Sequence, residues 1–125
     1  MKTVVQWEYD FRKWSENMIE RSQVDVSQTW DLSLLFETEE AFNEALEDLK
    51  GKVDAFQKEY EGKITTASQV NAGLATYREL LELRGKISAY CNLAVSANTK
   101  DKEAQTRSAQ TRTVLAGLDA KLSFF

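Results

Sequence analysis

Six carboxylates crowd one stretch of the chain: Glu37, Glu39, Glu40, Glu44, Glu47 and Asp48. The spacing of Glu40, Glu44, Glu47 and Asp48 puts these four on one face of a helix. Carboxylates so placed can take a divalent cation, but an acidic helical face is ordinarily a solvated surface, and we read it so. The single thiol, Cys91, has no imidazole to activate it, because the 125 residues include no histidine. A reactive thiolate needs a base or a cationic setting. Cys91, next to Tyr90, therefore reads as a small buried apolar group. The missing histidine also removes a His-Glu-x-x-His zinc helix, a Glu-x-x-His di-iron motif and a His base for a serine or cysteine nucleophile. One cysteine cannot form a Cys-x-x-Cys metal or redox site, and no glycine-rich phosphate loop is present. No catalytic, cofactor-binding or metal-binding residue is assigned. Residue chemistry alone describes a helical domain and leaves its task open.

The element that carries the carboxylates is the best patterned in the chain. Trp30, Leu32, Leu34, Leu35 and Phe36 form a short apolar anchor, too short for a helical period, expected to lie across a groove and bury several side chains. Each burial is worth roughly 1.5–3 kcal/mol. Thr38 is an N-cap, and Glu39 and Glu40 follow where the helix dipole favours acids. Phe42, Leu46, Leu49, Val53, Phe56 and Tyr60 then recur at helical spacing, and Gly62 marks a stop. That stripe reads as a packing face; the other reading, a dimerising coiled coil, would rest on only about three heptads.

Around it the spacing predicts an all-α fold: an antiparallel bundle of three long helices over 38–61, 68–97 and 101–125, plus a shorter N-terminal helix over 4–21. The second and third form a hairpin. The N-terminal helix carries Trp7, Phe11, Trp14 and Met18 on one face, read as a core or interface stripe rather than a ligand-stacking one. Ser68 or Thr66 caps the second main helix, whose apolar positions run Val70, Leu74, Tyr77, Leu80, Leu81, Ile87, Tyr90, Cys91 and Ala94. Gly73 and Gly85 inside it cost roughly 1 kcal/mol each against alanine and are expected where another backbone comes close or the helix bends. Arg84 reads as snorkelling to water rather than reaching an acid of the preceding helix. Thr99 or Asp101 caps the last helix, whose stripe of Ala104, Ser108, Thr111, Leu115, Leu118 and Leu122 starts small and ends large. The pattern is still strong at Leu122, Phe124 and Phe125, so an exposed apolar end, self-association and a longer parent chain are expected.

Composition agrees with a helical domain. Apolar residues make up 42%, proline is absent and glycine occurs five times, so there is core enough and little to interrupt long helices. The net charge of −4 argues against nucleic acid or an anionic membrane as partner. Residues 31–62 hold ten acids against three bases, and residues 63–125 nine bases against five acids. An acidic helix beside a mildly basic pair is self-complementary, which sets register more than affinity. A single cysteine, no signal-peptide core and no apolar run of about 20 residues point to a cytoplasmic protein. No repeat of fixed period stands out.

The run Thr29-Trp30-Asp31-Leu32-Ser33-x-Leu35-Phe36, followed by an acidic helix, resembles the N-terminal region of the oligoendopeptidase F family of thimet-oligopeptidase-like zinc metallopeptidases. The likeness continues through the break at Tyr60-Glu61-Gly62-Lys63-Ile64, a long helix with Tyr90 near its end, the turn at Asn98–Asp101 and a helix closing on Leu122-Ser123-Phe124. It covers residues 27–125, and residues 1–26 match nothing. The resemblance implies an almost wholly helical fold and a parent enzyme whose zinc, His-Glu-x-x-His helix and further Glu ligand lie downstream. It further implies that this domain is a non-catalytic wall of the channel that admits short peptides, with the C-terminal catalytic domain of the same chain as its partner. No family residue carries over as catalytic. The alternative is a stand-alone helical interaction module that takes a partner helix on the Trp7–Met18 or the Phe42–Tyr60 stripe.

Overall fold

The computed structural model describes residues 1, 3 and 19–125. The Trp7, Phe11, Trp14 and Met18 stripe of the helix expected over 4–21 lies outside the described residues. The chain divides into two compact units, 1–30 and 31–125. In the first, Arg21–Gln23 and Val26–Gln28 form single 3-10 turns. The second opens on a similar turn, Leu32–Leu34, and continues into α1 (Glu39–Tyr60), α2 (Ala67–Ala97) and α3 (Lys102–Leu122). Every regular element among the described residues is helical.

Each helix begins at a side chain that satisfies a free backbone N–H. Thr38 Oγ accepts from the Ala41 N–H at 3.1 Å, with Glu39 and Glu40 in the first turn. Gly62, at φ +71°, turns the chain out of α1 in the left-handed conformation that glycine adopts at least cost. Thr66, not Ser68, caps α2, in a reciprocal box: its hydroxyl accepts from the Gln69 N–H, and Gln69 Oε1 accepts from the Thr66 N–H. Asp101, not Thr99, caps α3 through the Ala104 N–H at 3.0 Å.

The three rods pack against one another. α2, about 46 Å long at 1.5 Å per residue, runs antiparallel to both neighbours. Phe42 of α1 stacks on Tyr90, and Phe56 lies near Tyr77; Arg84 meets Asp119 of α3. α1 and α3 run parallel, tied by Glu39–Arg107 near their starts and Asp54–Lys121 near their ends. Phe42, Leu49, Val53, Phe56, Leu80 and Ile87 are the largest fully buried groups. The α3 stripe of Ala104, Ser108, Thr111, Leu115, Leu118 and Leu122 is buried throughout. In its small first half, Thr111 meets Cys91 of α2.

The structure departs from the sequence reading at several points. The anchor does not bury as a block: Phe36 is 8% exposed, while Trp30 is 70% and Leu34 83% exposed. In a 3-10 turn, residues three apart eclipse, so Leu32 and Leu35 share the inner side, half-buried, and Leu34 is turned out. The stripe end is not exposed either. α3 stops at Leu122, which is buried, and Phe124 and Phe125 fold back onto Phe56 at 5.8 and 5.2 Å between ring centroids. Gly73 accommodates a ring rather than a backbone: a Cβ there would stand 2.7 Å from the edge of Phe125. Gly85 has nothing within 4 Å of that position, so no close approach explains it. Val70, Leu74 and Leu81 of α2 are 39–47% exposed; they fall on the side of α2 that neither α1 nor α3 covers.

Candidate functional site

The outer seam of the α2–α3 hairpin holds the best-formed group of polar side chains. Here the helices leave a cleft of about 250 Å³ lined by Arg84, Cys91, Ser108, Thr111, Arg112 and Asp119, among others. Because the helices are antiparallel from the Asn98–Asp101 turn, Cys91 meets Thr111 one step out and Arg84 meets Asp119 two turns further.

Arg84 grips Asp119 with both arms, Nε to Oδ1 at 2.7 Å and Nη2 to Oδ2 at 2.6 Å. The hydrogen bonds to Asp119 hold the Arg84 guanidinium above its ordinary range. Arg84 therefore neither snorkels nor reaches the preceding helix; its partner is on the following one. Asp119 is four positions after Leu115 and one after Leu118, on the exposed shoulder of the α3 stripe. Register counted back from the turn is the signal that could have found it. Both side chains are partly exposed, so the pair contributes on the order of 1 kcal/mol even with fork geometry.

Cys91, two turns along α2 from Arg84, is buried. Burial pushes its thiol pKa up; a hydrogen bond with the Thr111 side chain and the nearby Arg107 charge pull the other way but are smaller. The thiol is thus held protonated, and it has no base beside it. Arg107 spans to Glu39 of α1 at 3.1 Å.

The acidic face takes its place on the surface of α1. Glu40, Glu44, Glu47 and Asp48 are exposed. Glu47 pairs with Lys50 at 2.6 Å and Asp48 with Lys52 at 2.7 Å. Among the described residues no three His, Cys, Asp or Glu side chains gather closely enough to hold a metal ion. No helix among them is long and apolar enough to cross a membrane. The cleft ties α2 to α3 and the face is paired within α1 itself; neither brings together a nucleophile, a base and an electrophilic donor.

The chain is 29% identical over 86 residues to a protein of Borreliella burgdorferi named "Oligoendopeptidase F homolog". The match takes in 69% of this chain and 14% of that relative, so the chain spans about a seventh of its length. No family model matches the chain, and no solved structure does. The donors that a zinc site needs are not in this stretch: histidine is absent from all 125 residues and the one thiol is buried and protonated. These residues do not fit a zinc ion, and no step of metal chemistry is assigned to them.

Proposed function

We propose that the chain is a non-catalytic helical domain of a zinc oligopeptidase, forming one wall of a channel that admits short peptides in the cytoplasm. The similarity to the oligoendopeptidase F homolog carries this reading. The architecture supports it: excluding folded proteins from a reaction chamber takes rigid walls, and three long helices with a continuous core supply one. The polar contents of the seam support it too, since Arg84, Asp119 and Cys91 are all engaged in holding helices together. The partner in this reading is the catalytic portion of the same parent chain, which brings the zinc and its ligands.

The coding sequence beyond residue 125 tests the proposal, together with hydrolysis of quenched fluorescent peptides. The 125-residue chain supplied with zinc should cleave none. The chain continued through its reading frame should encode His-Glu-x-x-His and cleave short peptides. An immediate stop codon, or peptide cleavage by the 125 residues alone, would overturn it; the stop codon would favour the stand-alone interaction module.

A further inference from the structure

The stretch 25–36 folds as two consecutive copies of one six-residue unit, although the sequence reads as free of repeats. The copies are Asp25-Val26-Ser27-Gln28-Thr29-Trp30 and Asp31-Leu32-Ser33-Leu34-Leu35-Phe36. In each, the Asp carboxylate accepts from the backbone N–H of the Ser two residues on, at 2.8 and 3.0 Å, and from its hydroxyl, at 2.6 and 2.5 Å. A 3-10 turn starts at the second residue in both. The N–H of the fifth residue donates to the carbonyl of the second, at 3.1 and 3.0 Å. Each unit ends on an aromatic side chain.

The two aromatics differ in what they meet. Phe36 is seated: Phe42 and Tyr90 meet it edge-on, at 5.6 and 5.4 Å, and Lys86 Nζ stands 4.7 Å from its centroid. Trp30, at the same place in the first unit, is 70% exposed, and Val26 is exposed with it. A tryptophan is the side chain with most to gain from a seat and is enriched among the anchors of protein interfaces. The backbone that leads to it is held by the turn over Asp25–Thr29, which lowers the entropy cost of docking. We propose that Trp30 is an interface anchor whose seat lies on the catalytic portion of the parent chain, in a groove of the chemistry that receives Phe36: between helices, edged by aromatic rings, with a lysine over the indole. This rests on the function proposed above, in which most of the parent, like most of the relative's length, lies beyond these residues.

The test uses the chain continued through its full reading frame beside the 125-residue chain. Both are labelled with 5-fluorotryptophan, and the position-30 fluorine resonance is assigned by its loss in Trp30→Phe. In the short chain that resonance should show the full shift between H₂O and D₂O of an exposed indole; in the long chain the shift should be lost. Trp30→Ala should lower the thermal midpoint of the long chain by several degrees and leave the short chain unchanged. A resonance with its full solvent shift in both chains, or a substitution equally silent in both, overturns the proposal. A reading frame with no His-Glu-x-x-His overturns the proposed function and this inference with it. A frame that has the motif but leaves Trp30 exposed overturns this inference alone.

Discussion

Cys91 shows how one side chain is defined by what packs on it. Sequence gives it no base; structure adds that it lies under the α2–α3 seam, against Thr111, with its pKa raised by burial. A thiol whose folded pKa lies above its unfolded value stabilises the fold fully while both states are protonated. That contribution fades as pH climbs past the ordinary value of 9.0 and on through the raised one. The stability advantage of the native chain over Cys91→Ala should therefore be constant through neutral pH and shrink above it, measured as urea midpoints of the two proteins against pH. A gap that stays constant to alkaline pH would show that the thiol is not desolvated. The burial of Cys91 was legible from its place among the apolar positions of α2. The Arg84–Asp119 fork was not, because a pair 35 residues apart becomes visible only once the register of two helices is known.

At the scale of an element, α2 carries two glycines that look alike in sequence and differ in their surroundings. Gly85 faces open space, so Gly85→Ala should stabilise by about 1 kcal/mol through backbone entropy alone. Gly73 lies under the ring of Phe125, and an alanine methyl there would displace the aromatic from its place among Phe56, Tyr60 and Tyr77. Gly73→Ala should then gain nothing or destabilise, yet match Gly85→Ala once Phe125→Ala has vacated the site. Denaturant unfolding of the two glycine variants, of Phe125→Ala alone and of the Gly73→Ala, Phe125→Ala double variant reads this coupling directly. Equal gains from both glycines in the native background would mean that the ring does not sit there. Helix starts and stops were legible at this scale because caps are local: Thr38, Thr66, Asp101 and Gly62 each act within four residues. The fate of Phe124 and Phe125 was not, since their partners on α1 and α2 are about 50 to 70 residues away in the chain.

Across the helical unit 31–125, periodicity decided which helices exist and left open which flank of the middle one stays bare. Each helix packs against the other two, and the apolar stripes of α1 and α3 are buried nearly throughout. The apolar positions of α2 spread over a wider arc than its two neighbours cover, and Val70, Leu74 and Leu81 remain half-exposed. Within the long helices, exposed apolar surface is thus predicted along α2, not at Leu122. Replacing the three with glutamine should reduce binding of an apolar-surface dye while moving stability by only a few tenths of a kcal/mol per site. Leu122→Gln, at a buried position, should cost about 2–4 kcal/mol and increase dye binding as the core opens. Thermal unfolding and dye fluorescence on the two variants separate these outcomes. If the triple variant unfolds as Leu122→Gln does, those three side chains belong to the core, and the two-sided packing of α2 is wrong.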